Sequence, residues 1–303
     1  MRFRAQLINS SAFTKLVDSI TKLTKRAVFK FNREELRIVS TGDLEDGVRF
    51  YAGVQIVELF GFHYHIESNF ENSISLELST YALASAIRQS SGVPTEILIR
   101  LGKIAKTPFL SFTSKTVGRS GVEYEVEQRV AVRVLRPAEA QALPDPTCPI
   151  PDVHLNLPKL ADVCKVAERL KTLSDSIQVS ASRLGGFRLG ICTEHAKVET
   201  EWRGLTVFRS SSSQEGEEAS MPIRTPRPTA SFFQVTVKSR GLLRFLHAHA
   251  VGQVSLASVC EGHSLILFIY MGDPEKSNSA ENNESMPGSL IAFLPAVDED
   301  GDL

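Results

Sequence analysis

No stretch of the 303 residues approaches the ~18 consecutive apolar positions of a membrane-spanning helix, and the opening MRFRAQL lacks the long apolar run of a secretion signal. The sequence therefore predicts an intracellular protein with no membrane partner. Cysteine is scarce: Cys148, Cys164, Cys192 and Cys260 lie far apart with no CxxC pair, which argues against a disulfide framework or a zinc ribbon and predicts reduced, mostly buried thiols. No GxSxG, HExxH or Walker-type run occurs, so the chain reads as non-enzymatic, with no cofactor, no metal and no catalytic residue. A charge excess is missing as well. The chain has 34 Lys+Arg against 35 Asp+Glu, a net −1 that speaks against a nucleic-acid partner until it is divided by element.

Strand alternation dominates what is there. Phe3, Ala5 and Leu7 alternate with Arg2, Arg4 and Gln6; Ile74, Leu76 and Leu78 alternate with Ser73, Ser75 and Glu77; Ile97, Ile99 and Leu101 keep the same period of two. Residues 124–136 read as another long strand and 254–271 as a hairpin turning at Glu261 and Gly262. Helical spacing is confined to four windows, 10–26, 79–91, 157–173 and 237–249; the first is entered through Ser10 and Ser11 as a cap, and the third carries Pro158 in its first turn. The order strand, helix, several strands, strand, helix, several strands occurs twice, with negligible identity between the copies.

The predicted class is α+β, with one domain over 1–136 and another over 153–303, each placing two helices on an antiparallel sheet. Between them, residues 137–152 hold five prolines and read as an extended connector that cannot form a helix or a central strand. Residues 210–229 and 272–289, together with the acidic tail 298–302, are polar and are expected to be solvated, mobile segments.

The four helical windows hold 12 Lys+Arg and only three acids, while the remaining 243 residues hold 22 Lys+Arg and 32 Asp+Glu. Lys15, Lys22 and Arg26 fall at i, i+7 and i+11; Lys165 and Arg169 at i and i+4; Arg240, Arg244 and His247 at i, i+4 and i+7. With Lys25 and Arg88, these cations predict basic helix faces turned away from the sheets. Four such helices side by side would attract phosphates without reading bases.

Two histidine pairs offer themselves as metal ligands and are set aside. His63 and His65 share a strand face but have no third ligand at suitable spacing; His247 and His249 would point ~200° apart on a helix. The pairs Gly118/Gly121 and Gly185/Gly186 read as strand turns, because no helix follows either.

The twofold repeat, the Pro-rich connector and the basic helices resemble the DNA sliding clamps. The local sequence is most similar to the Hus-one branch of the nine-one-one checkpoint clamps, through MRFRAQL, FTKLVDSITKLTKRAVFKFNREELRIVS, ENSISLELSTYALASAIRQS, PDVHLNLPKLADVCKVAERLKTLSDSIQVSAS and the closing LIAFLPAV. The resemblance implies a two-domain sliding-clamp fold with a pseudo-twofold repeat. It further implies a nuclear protein, with a share in the cytoplasm, that joins Rad-nine-like and Rad-one-like subunits in a ring around duplex DNA. An ATP-dependent clamp loader would place the ring, which recruits checkpoint and repair proteins; a homotrimeric replication clamp is the alternative. Lys15, Lys22, Lys25, Arg26, Arg88, Lys165, Arg169, Arg240 and Arg244 would face the DNA. Subunit edges would run through Glu125, Glu127, Arg129, Ala131 and Arg133 and through Lys197, Glu199, Glu201 and Arg203. A client groove would involve Leu143, Ile150, Phe293, Leu294 and Pro295.

Overall fold

A computed structural model describes residues 1–41, 47–61, 63–90, 96–117, 122–143, 150–194, 196–208, 231–248, 252, 254–271 and 288–297. The first half runs β1 (Arg2–Leu7), α1 (Ser10–Leu23), β2 (Arg26–Phe31), β3 (Glu35–Ser40), β4 (Arg49–Gln55), α2 (Ile56–Leu59), β5 (His65–Glu67), β6 (Ile74–Ser79), α3 (Thr80–Ser90), β7 (Glu96–Ile104), β8 (Thr107–Val117) and β9 (Glu123–Val134). After α4 (Pro137–Gln141) come β10 (Val153–Asn156), α5 (Leu160–Lys171), β11 (Ser176–Ser182), β12 (Phe187–Cys192), β13 (Lys197–Trp202), β14 (Val207–Phe208), β15 (Phe232–Lys238), α6 (Ser239–Leu246), β16 (Val254–Cys260), β17 (Ser264–Met271) and β18 (Gly288–Pro295). Leaving aside the one-turn helices α2 and α4, the described residues of the two halves repeat the same order of nine strands and two helices. The mixed α+β class with antiparallel sheets is thereby observed.

The helices follow from their apolar spacing. Phe13, Leu16, Val17, Ile20 and Leu23 of α1 are buried, as are Leu160, Val163, Cys164, Ala167 and Leu170 of α5. Asn9, rather than the serine pair, caps α1 by accepting from the Ala12 N–H at 3.0 Å. Helix α1 also stops earlier than its window, because Thr24 turns extended at φ −148° and its hydroxyl bonds the Arg26 carbonyl. Helix α5 starts at Leu160, so Pro158 precedes its first turn. In the connector, Pro137 opens the short α4; the expectation of no helix there fails because a first-turn proline loses no intrahelical bond and the next six residues are proline-free.

Among the described residues every ladder is antiparallel. One sheet orders its strands β14-β10-β16-β17-β18-β4-β3-β2-β6-β9-β8-β7-β1-β5, and a second β13-β12-β11-β15. The halves join where β18 pairs with β4, Gly288–Phe293 lying against Arg49–Val54. Strand β18 therefore claims Gly288 and Ser289, which composition alone assigns to an insertion; residues 210–229, 272–287 and 298–302 lie outside the described residues. Glycine serves a turn at Gly185 (φ +81°), where β11 hands over to β12.

Candidate nucleic-acid interface and ring-closing edges

Helix α1 packs against α3 on one side and α6 on the other, and α6 packs against α5, so the four helices form one row in the order α3–α1–α6–α5. Their apolar sides rest on the sheets, which leaves their polar sides on one common surface. The row is locked at its middle, between the halves. Lys22 Nζ donates to the His247 carbonyl at 2.9 Å, and the Ser19 hydroxyl donates to the Ala248 carbonyl at 3.4 Å, both at the C-terminal end of α6 where a cation is favoured.

Lys15, Lys22, Lys165, Arg169 and Arg240 are exposed on this surface, and Arg244 is half-buried there. Arg88 also lies in the row, but its charge is paired with Asp18 at 2.8 Å; Lys165 leans toward Asp162 at 3.5 Å. Lys25 follows the end of α1 and is exposed. Arg26 is a correction. It opens β2, on the sheet face opposite the helices, and binds Glu77 of β6 at 3.0 Å. Its misplacement comes from extending the helical period through Thr24. The helices proper thus carry eight Lys/Arg and three Asp/Glu, still a basic surface. Tyr81, 73% exposed on α3, stands on the same surface and is easily missed in the sequence, since a lone aromatic in a helix reads as core.

Among the open strand edges, two fall at places in the repeat that match the β18–β4 junction. Strand β9 pairs with β8 through Glu123–Ala131, but with β6 only at Val132–Val134. Glu125, Glu127, Arg129 and Ala131 therefore lie on a stretch with a partner on one side only, whereas Arg133 sits opposite Glu77 inside the β6 ladder and is no edge residue. The Leu135 N–H bonds the Ser75 carbonyl toward β6, so strand alternation turns the backbone groups of 125, 127, 129 and 131 toward the open side. Strand β13 ends its sheet, pairing with β12 alone; Lys197, Glu199 and Glu201 lie on it and Arg203 just beyond it. Tyr124 and Val198 are exposed on the two edges.

The edges carry charges that neutralise one another along the strand. Arg129 grips Glu127 at 2.7 Å, Arg203 and Arg188 hold Glu201 at 2.6 and 3.0 Å, and Lys197 meets Glu199 at 3.2 Å. Hydrogen bonds from these arginines, Arg129 to Glu127 and Arg203 foremost to Glu201, hold both carboxyls below the usual carboxylate range. Charged edges resist indiscriminate strand addition while leaving the backbone groups available to a matched partner.

On the face opposite the helices lies a cavity of about 530 Å³. Pro137, Ala140, Gln141 and Leu143 bound it on the connector side, Ile38, Ala52 and Ile74 belong to the sheet, and Ile291 and Ser289 come from β18. Lys30 Nζ ties β2 to the connector through the Ala140 carbonyl at 2.8 Å. Of the residues assigned to a client groove, only Leu143 lines this cavity. Leu294 is 1% exposed and packs in the core, which removes it as a binding residue; Ile150 is exposed outside the cavity lining, as are the half-exposed Phe293 and Pro295. The one-residue alternation of β18 explains the error: Ile291 and Phe293 share the outer face and Leu294 the inner.

His65 pairs with Glu67 at 3.0 Å, and His249 lies outside the described residues. Of the described cysteines, Cys164 and Cys260 are buried, in line with the expectation of mostly buried thiols, and Cys192 is exposed.

Comparisons place this geometry among known proteins. The family model described as Hus1-like protein matches residues 1–298. The checkpoint protein hus1 of fission yeast (Schizosaccharomyces pombe) is 29% identical over 280 residues, 92% of this chain and 96% of that protein. The checkpoint protein HUS1 of Homo sapiens is 25% identical, covering 83% of this chain and 88% of the relative; the hus1 homolog of Dictyostelium discoideum is 27% identical over 68% and 74%. Among solved structures, the proliferating cellular nuclear antigen of Entamoeba histolytica superposes with a TM-score of 0.69 at 10% identity, covering 98% of this chain and 99% of that one. The fold is that of the sliding clamps.

Proposed function

The chain belongs to the Hus1-like family, and from that membership we propose that it is a non-enzymatic subunit of a heterotrimeric checkpoint ring around duplex DNA. The observation that carries the reading is the fate of matching strands in the two halves. In the repeat, β4 corresponds to β13 and β18 to β9. Strands β4 and β18 pair with each other within the chain, while β9 and β13 keep open edges. The same pairing made between chains joins β9 of one subunit to β13 of the next. Such a head-to-tail junction closes into a ring when the rotation permits.

In this ring the row α3–α1–α6–α5 lines the hole. Lys15, Lys22, Lys25, Lys165, Arg169, Arg240 and Arg244 meet phosphates without reading sequence, so the ring slides. Arg88 contributes less, being bound to Asp18. The two domains are residues 1–136 and 153–303. The cavity beside the connector, with Leu143 at its rim, takes the apolar anchors of checkpoint and repair proteins. Rad-nine-like and Rad-one-like chains supply the neighbouring edges, an ATP-dependent loader opens the ring, and the protein works in the nucleus with a share in the cytoplasm.

The test is assembly. Co-expressed with two other clamp-like subunits from the same cell, the chain should purify in a 1:1:1 ring, and alone it should remain a monomer. A stable homotrimer formed by the chain alone would replace this reading with that of a replication clamp.

A further inference from the structure

Helix α5 carries Cys164 and Glu168 one turn apart, and His247 follows directly on α6, the helix packed beside it. The Glu168 Oε1 lies 3.8 Å from the Cys164 Sγ and 3.1 Å from the His247 Nε2, and the three ligand atoms all fall within 4.8 Å of one another. A tetrahedral zinc site with Zn–S of about 2.3 Å and Zn–N and Zn–O of about 2.0 Å sets its ligand atoms roughly 3.3 to 3.6 Å apart. The two spacings to Glu168, 3.8 and 3.1 Å, need shifts of a few tenths of an ångström, and the thiol and imidazole lie within 4.8 Å of each other. We propose that Cys164, Glu168 and His247 form a binding site for a divalent transition-metal ion, Zn²⁺ foremost, that pins α5 to α6.

The donor set selects the metal class. A thiolate with an imidazole and one carboxylate suits zinc and its borderline neighbours, whereas magnesium and calcium favour oxygen ligands. Cys164 is 6% exposed, which gives the site a dry floor, while the Glu168 and His247 side chains are half-exposed and leave solvent to supply a fourth ligand. Lys22 takes the backbone carbonyl of His247, so the ring nitrogen is the group that faces the other two donors.

Charge balance also fits. Lys165 and Arg169 on α5 and Lys22 on the adjoining α1 oppose a dication, but loading forms a thiolate and expels its proton. Bound through a neutral imidazole, Zn²⁺, thiolate and carboxylate sum to zero. Because the thiol must lose its proton to bind, metal affinity rises with pH. The ion joins the helices whether or not their row faces DNA.

The experiment titrates the purified full-length chain with Co²⁺ and then Zn²⁺. A thiolate-to-cobalt charge-transfer absorption with tetrahedral d–d bands should saturate at one equivalent and disappear on adding Zn²⁺. Cys164→Ser should abolish the charge-transfer absorption, His247→Gln should weaken binding by about tenfold or more, and Cys192→Ser should leave both unchanged. Circular dichroism of each variant separates lost binding from lost folding. Zn²⁺ should raise the melting temperature of the parent chain and not that of folded Cys164→Ser. Absence of the thiolate absorption, or its persistence in Cys164→Ser, would overturn the assignment.

Discussion

Thr80 and Ser239 open α3 and α6, the corresponding helices of the two halves, and both are fully buried. Each backbone N–H reaches back one ladder, Thr80 to the Lys25 carbonyl and Ser239 to the Asp175 carbonyl. Their hydroxyls differ. Thr80 Oγ1 donates to the Thr24 carbonyl at 2.6 Å, whereas Ser239 Oγ has no hydrogen-bond partner among the described residues. Thr80→Val should therefore destabilise by about 1–3 kcal/mol, and Ser239→Ala should be neutral or stabilising, both read from denaturant midpoints. His154 supplies a pH effect. Burial between β14 and β16 lowers its pKa from the ordinary 6.5, so the unfolded chain takes up a proton that the folded chain refuses. Its stability contribution is intact above that value and erodes as pH falls through it; His154→Gln should flatten the stability profile near pH 6.5. At this scale the sequence displays most of the basic residues, whose type and period suffice. It hides Cys164, Glu168 and His247 because their meeting depends on helix packing across some eighty positions of sequence.

Gly241 shows what an element gives up for its place. It stands inside α6, where glycine costs about 1 kcal/mol against alanine, because an added Cβ would lie 2.6 Å from Val48 Cγ2, just before β4 in the other half. Val48 is buried and β-branched, so it yields poorly. Gly241→Ala should lower the melting temperature despite its better helix propensity, and adding Val48→Ala should recover most of the decrease. For β9, Glu127→Pro removes a backbone donor on the open side and none from the β8 ladder. The monomer should stay folded by circular dichroism and fail to enter a ring by size-exclusion chromatography. The elements are largely legible in the sequence, because period two and period 3.6 are local. Their ends are less so: Thr24 stops α1 before Arg26, and Pro137 begins a helix instead of forbidding one.

For the whole molecule, the decisive quantity is charge by surface. A net −1 hides a row of helices with eight cations and three acids. In an assembled ring, Lys165→Ala with Arg169→Ala should weaken DNA association and reduce the slope of log K against log salt by about 0.9 for each phosphate no longer neutralised. Unchanged affinity and slope would remove these residues from the lining. The side-by-side order of the helices can be imagined from the repeat, yet it is fixed by the β18–β4 junction and by the Lys22 and Ser19 bonds to the end of α6. The outer cavity is less accessible to sequence reading, since its floor comes from β3, β4 and β6, strands that announce only a sheet.

The β18–β4 junction also decides how a ring of such chains comes apart. Its two edges belong to one polypeptide, held at an effective concentration that dilution cannot change. In the proposed ring the β9–β13 junction would have no tether and would obey mass action. The proposed ring would therefore alternate permanent joints with releasable ones, and its opening, or its dissociation on dilution, would occur at the latter.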